Sequence, residues 1–160
     1  MVRVSLREFL ATGRFGPVQI GSSRDAIARL LGPPDDRDAR ARTDETARIW
    51  KYGDIELHFE GRGADASLWV IHADNFVSAP HGGPNIDLDP WIVSRALSVD
   101  VAEVELTKAG IAYATGQYDW DSDLDEVRTS ADVSLVFSGE RGPALRKRLL
   151  IAISLARHLR

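Results

Sequence analysis

Two stretches of the chain, DIELHFEG at residues 54 to 61 and DVSLVFSG at residues 132 to 139, share an alternating pattern that limits what either can become. In register, Asp54 meets Asp132, Leu57 meets Leu135, Phe59 meets Phe137 and Gly61 meets Gly139, with Ile55 against Val133. Apolar residues at every second position lie on one face of a strand, because successive strand side chains point to opposite sides. The pattern predicts one strand built twice.

The first copy carries its hairpin partner beside it. In IWKYGDIELHF, Gly53-Asp54 separates two alternating runs, and a two-residue connection opening on glycine suits a type II′ turn, where glycine supplies the positive φ. That turn sets Tyr52 opposite Ile55, Lys51 opposite Glu56, Trp50 opposite Leu57 and Ile49 opposite His58. Trp50, Tyr52, Ile55, Leu57 and Phe59 then form one apolar face. Ile49, Lys51, Glu56, His58 and Glu60 form the other, with Lys51 and Glu56 as a predicted cross-strand ion pair worth a few tenths of a kcal/mol, roughly.

A third strand, LWVIHAD, follows from Leu68, and LLIAIS from Leu149 is its counterpart. Leu68 and Val70 compete with Trp69 and Ile71 for the buried face, so the pattern leaves Trp69 either core or exposed. For the second copy, a basic helix from Pro143 to His158 is the alternative to the strand.

Helices with readable ends precede each set of strands. Ser22 is the expected cap of a helix carrying Ile27, Leu30 and Leu31 and stopped by Gly32-Pro33-Pro34; Ser98 caps SVDVAEVELTKAG, which ends at Gly110. Two shorter helices are expected upstream, SLREFLATG with a Ser5–Glu8 capping box and DPWIVSRAL with Asp89 as cap and Pro90 at the first helical position. Residues 5 to 76 and 89 to 156 therefore each read helix, helix, three-stranded meander. The expected class is α+β, a tandem repeat of helix-helix-three-stranded antiparallel meander with helices packed on one face of the sheet. The expected organisation is a first repeat at 1–76, a Gly/Pro-rich linker at 77–88 and a second repeat at 89–160.

The run IGSSRDAIARLLGPPDD, then RIWKYGDIELHFEG, then LWVI, spanning residues 20 to 71, resembles the SmpA/OmlA family of small bacterial lipoproteins. In that family a glycine precedes a capped helix ending in Leu-Gly-x-Pro, and a Trp-x-Tyr strand leads into a meander. The same fold doubled in tandem is that of β-lactamase inhibitor proteins. The resemblance implies a bacterial protein of that architecture, with an open sheet face used for protein binding. It covers about a third of the chain. The chain departs from the family in having no lipid-bearing cysteine, and from the inhibitors in having no cysteine for disulfides.

Composition narrows the function classes. The chain has 160 residues, net charge −4 and no cysteine, so thiolate metal sites and cysteine nucleophiles are excluded. No basic stripe is evident for nucleic acid, and no apolar run reaches membrane-spanning length, so neither nucleic acid nor membrane is an expected partner and the expected location is cytoplasmic. Asp119, Asp121, Asp123, Asp125 and Glu126 form an acidic run, against a basic C-terminus containing Arg141, Arg146, Lys147, Arg148, Arg157 and Arg160.

Chemical signatures are sparse. DWDSDLDEVRTS, from Asp119, has EF-hand-like spacing but puts Leu124 where glycine is needed and Ser130 where the bidentate Glu should sit, so it reads as an acidic surface loop. His58 and His72 lie on adjacent predicted strands with Glu56 or Glu60 nearby; they read either as surface histidines or as a metal or acid–base pair. Neither G-x-S-x-G, nor a P-loop, nor a dinucleotide fingerprint occurs. HGGPN at residues 81 to 85 reads as a hinge. No cofactor, no metal and no catalytic residue is expected.

The expected function is a non-enzymatic protein-binding module, inhibitor- or immunity-like, with Ile49, His58, Trp69, Val136 and Trp120 as the candidate partner-binding residues. The alternative is a small-ligand or metal-dependent enzyme or binding domain using a cleft between the two repeats, with His58, His72 and Glu56 as acid–base or metal residues. Homodimerisation through an edge strand is a third reading.

Overall fold

The structure, a computed structural model, describes residues 1–139 and 148–157. Its elements run β1 (Val2–Ser5), α1 (Leu6–Thr12), α2 (Arg24–Leu31), β2 (Asp36–Arg37), β3 (Ile49–Tyr52), β4 (Ile55–Glu60), β5 (Ser67–Ala73), β6 (Ile86–Asp89), α3 (Val99–Lys108), β7 (Tyr113–Tyr118), β8 (Asp121–Thr129), β9 (Ser134–Ser138) and β10 (Leu149–Ala156). Eight strands form one antiparallel sheet in the order β2-β3-β4-β5-β10-β9-β8-β7, and β1 and β6 form a separate parallel pair.

The expected tandem of helix-helix-meander units with helices packed on one face is thereby overturned. Sheet dominates, and only three short helices occur among the described residues. The second expected helix pair loses its first member. Ile86–Asp89 pairs in register with Val2–Ser5 as β6, and the expected helix at DPWIVSRAL is replaced by separate turns closed by Val93 N–H to Pro90 O and Leu97 N–H to Ser94 O. Trp91 adopts φ 51°, which a helix cannot hold. Arg95 explains the rest: its backbone N–H bonds to Ser78 O and its guanidinium donates to Phe76 O (2.9 Å) and Ile151 O (2.7 Å), drawing the segment onto the central strands. The acidic run is likewise no loop. From Asp121 it is strand β8, bonded to β7 and β9.

The hairpin register is as the turn chemistry dictates. Ile49 faces His58, Trp50 faces Leu57, Lys51 faces Glu56 and Tyr52 faces Ile55, around Gly53 at φ 59°. Both quoted stretches form strands whose alternate residues, Ile55, Leu57 and Phe59 on β4 and Leu135 and Phe137 on β9 with Val133 just before it, lie in the core. That core also takes in Leu6, Phe9 and Leu10 of α1, Ile27 and Leu31 of α2, and Ala102 and Leu106 of α3. Each such side chain contributes about 1.5–3 kcal/mol on burial. Tyr52 is the polar exception, and its hydroxyl donates to Gly32 O at 2.8 Å, satisfying the carbonyl that ends α2.

Helix ends follow their caps to within one residue. Ser5 and Gly13 bound α1 and Ser98 precedes α3, but neither serine side chain caps its helix, so the expected Ser5–Glu8 capping box does not form and Ser5 Oγ instead donates to Asp89 Oδ2 at 3.3 Å. The first cap of α2 is Ser23 rather than Ser22, its hydroxyl accepting from Ala26 N–H at 3.2 Å. Of the segment at 143 to 158, the part from Leu149 to Ala156 is strand; Pro143 and His158 lie outside the described residues, as do Arg141, Arg146, Lys147 and Arg160.

Candidate protein-binding face

Register assigns the two faces of the sheet. Residues paired with core positions face the core, so their chain neighbours, His58 and Glu56 on β4, Val70 and His72 on β5, Ala152 and Ser154 on β10, Ser134 and Val136 on β9, and Glu126 and Arg128 on β8, face the opposite way. Val70, Val136 and Ala152 are buried, yet they stand apart from the main core cluster, as this assignment requires.

At one end of this outer face lies a titratable cluster. His58 and His72 stand edge to face with ring centroids 6.3 Å apart. Glu56 accepts from Lys51 at 2.8 Å and lies 3.0 Å from His58 Nε2, while His72 Nε2 lies 3.4 Å from Asp74 Oδ2. Burial pushes the Glu56 carboxyl up, but the bonds from Lys51 and His58 outweigh it and hold the group below its ordinary value. Among the described residues no three His, Cys, Asp or Glu side chains converge as metal ligands.

Next to this cluster the β4–β5 ladder slips between His58 and Phe59, where Leu68 pairs Phe59 and Val70 pairs His58. Trp69 is the extra residue in this bulge, and it is 38% exposed. The ambiguity in the sequence thus resolves through a bulge: both Leu68 and Ile71 are core, and Trp69 is not.

The other end is built on a buried carboxylate. Glu126 accepts from the Ser134 hydroxyl and from Arg128, whose Nε lies at 3.2 Å and Nη2 at 3.1 Å from Oε1; Arg128 also reaches Asp119 at 3.1 Å. Burial lowers the Arg128 guanidinium, and the bonds to Glu126 and Asp119 more than offset this and raise it.

No family model, curated protein or solved structure matches the chain.

Of the candidate residues, Ile49, His58 and Trp69 are brought together: Ile49 faces His58 across β3–β4, and His58 faces Val70 beside Trp69. Val136 is on the outer face but 2% exposed, so it cannot contact a partner as expected; its cross-strand neighbours are Ala152 and Glu126. Trp120 is 87% exposed, at the turn between β7 and β8. Six strand spacings separate β3 from β7, roughly 30 Å, so Trp120 and Ile49 belong to opposite ends of the face. In the sequence Glu126 reads only as part of the acidic run, and Arg128 and Ser134 are not singled out. The alternation of Glu126 and Arg128 signals one face, but Ser134 joins them only through the β8–β9 register.

His81, read as part of a hinge, is held by the hairpin tip. Its N–H donates to Asp54 Oδ2 at 3.0 Å and its carbonyl accepts from Asp54 N–H at 2.9 Å. No helix among the described residues is long and apolar enough to cross a membrane.

Proposed function

We propose that the protein is a binding module that seats another protein on the outer face of its sheet, with Trp69, Ile49 and His58 at the contact centre. The observation that carries this reading is Trp69, a large aromatic lifted by a bulge out of the sheet beside polar groups that already have partners. An aromatic anchor surrounded by satisfied polar groups is the composition of a hot spot. The carboxylates of the face, Glu56, Glu60, Asp74, Asp119 and Glu126, outnumber the cations Lys51 and Arg128, so the fitting partner presents a basic surface. An inhibitor- or immunity-like protein that covers a basic enzyme is the specific form of this reading.

The test is affinity capture followed by a Kd with the purified partner. Trp69→Ala with Ile49→Ala should weaken binding at least tenfold at unchanged circular dichroism, and 0.5 M salt should weaken the wild-type complex. Unchanged affinity in the double variant would refute the assignment of this face.

A further inference from the structure

Half of the described arginines are committed to neighbours by hydrogen bonds or ion pairs, among them Arg29 to Asp25, Arg37 to Asp44, Arg128 to Glu126 and Arg148 to Asp125. Four of the others cluster. Among the described residues Arg40, Arg42, Arg48 and Arg62 make no side-chain hydrogen bond or ion pair, and all four line one groove.

The groove consists of two adjoining depressions that share Thr46 and Arg48. The first, of about 500 Å³, lies between the loop preceding β3 and the loop joining β4 to β5; Arg48 and Arg62 line it with Gly61 and Gly63. Arg40 and Arg42 line the second. Its floor is fixed by Arg24, 3% exposed, whose guanidinium donates to Glu45 O, Ala47 O (2.5 Å) and Gly63 O (3.3 Å) and so ties both loops together.

Charge decides the ligand class. Five guanidinium groups, Arg24 included, face two carboxylates, Glu45 and Asp38. Asp38 Oδ1 is already engaged by the backbone N–H groups of Arg48 (3.0 Å) and Ile49 (3.3 Å). The groove is thus a positive site on a chain of formal net charge −4. Guanidinium forks match the paired oxygens of phosphate, and their spread over two depressions suits two linked anionic groups rather than one. No aromatic side chain lines either depression, so a base or ring has no stacking partner there.

We propose that this groove binds a diphosphate group, free or esterified, bridging Arg48 and Arg62 in one depression and Arg40 and Arg42 in the other. It is independent of the outer sheet face, since Arg48 follows the alternation of Trp50, on the core side.

The test is titration of the intact chain with inorganic pyrophosphate and with ADP, by calorimetry and by thermal denaturation at low ionic strength. Pyrophosphate should raise the thermal midpoint by about 3 °C or more at saturation, where chloride of equal ionic strength does not. Arg48→Ala with Arg62→Ala should weaken binding at least tenfold. Arg48→Lys with Arg62→Lys, which keeps charge and guards against a folding defect, should weaken it less. Trp69→Ala should leave pyrophosphate binding unchanged, which separates this site from the protein-binding face. Similar affinity for ADP and pyrophosphate supports the assignment, and markedly tighter ADP binding, which needs nucleoside contacts that the lining does not offer, counts against it. A shift matched by chloride, or one that survives in the alanine double variant, overturns it. So does concentration-dependent self-association abolished by the same variant, which would give the groove to the acidic hairpin of a second copy.

Discussion

Lys51 and Glu56 stand directly opposite each other across the β3–β4 hairpin, Nζ 2.8 Å from Oε1, and His58 closes on the other carboxylate oxygen at 3.0 Å. Burial raises the Glu56 carboxyl, and the bonds from Lys51 and His58 overcome it, leaving the group below its ordinary value. A carboxylate depressed in the folded state adds stability above its unfolded pKa of roughly 4.3, and that stability is lost as pH falls through the folded value. We predict that Glu56→Gln lowers unfolding free energy at pH 7 by about 1 kcal/mol, after allowance for screening. The gap should shrink below about pH 4, as wild type is protonated. Urea denaturation at pH 7, 5 and 3 reads this directly, and a gap undiminished at pH 3 would contradict it.

Local chemistry made this hairpin legible in the sequence. Gly53-Asp54 fixes the register, and the register fixes which side chains share a face, down to the Lys51–Glu56 pair. Helix ends at Gly13 and Gly32 were legible for the same reason, because their N–H groups close on Phe9 O and Ala28 O four residues back. The larger failures are long-range. Asp89-Pro90 has every local mark of a helix start, but β1 takes Ile86–Asp89 as a parallel partner and Arg95 binds carbonyls of Phe76 and Ile151. The direct pairing of β5 with β10, which makes one sheet of eight strands, has no local signature. Trp69 was undecidable from alternation because a bulge lets both Leu68 and Ile71 reach the core. Alternation puts Val136 on the outer face, where the structure has it, but does not give its burial, 2% exposed.

Gly53 is required by more than its φ of 59°. A Cβ there would lie 2.4 Å from His81 O and 2.5 Å from Gly83 N. The turn cannot retreat, because Gly53 N–H donates to Asp35 Oδ2 at 2.7 Å and Asp54 N–H to His81 O at 2.9 Å. We predict that Gly53→Ala destabilises by about 3 kcal/mol, combining left-handed strain with overpacking. Gly63→Ala, at φ 68° with nothing within 4 Å, should cost about 1 kcal/mol. Equal losses in thermal or urea unfolding would show that the clash is relieved elsewhere.

Glu126 and Arg128 offer a double-mutant cycle. The Glu126 carboxylate is buried, with Arg128 at 3.0 Å from Oε2 and the Ser134 hydroxyl on Oε1. Arg128→Ala strands that charge and should cost about 2–3 kcal/mol. Glu126→Gln with Arg128→Ala removes the stranded charge, so the double variant should be more stable than Arg128→Ala alone. Stabilities that simply add would mean that the two residues do not act as a unit.

Arg24 is the most consequential single side chain for the half of the chain that holds the arginine groove. It starts α2, yet its guanidinium is buried beneath the ring of Phe59, 4.7 Å from the centroid, and near Trp50, 5.6 Å from its centroid. There it donates to the carbonyls of Glu45, Ala47 and Gly63. Arg24→Ala removes the donors and leaves the buried Ala47 carbonyl unpaired, so the loss is the desolvation of that acceptor together with a cavity against two aromatic rings. We predict a loss of about 3 kcal/mol or more. Lysine brings one compact ammonium in place of a planar fork and cannot span three acceptors on two loops, so Arg24→Lys should recover less than half of it. Chemical denaturation of the two variants beside wild type, with hydrogen exchange at Ala47 and Gly63 as a local readout, separates loosening of the loops from a general loss of stability. Full recovery by lysine would show that charge rather than the fork holds these loops.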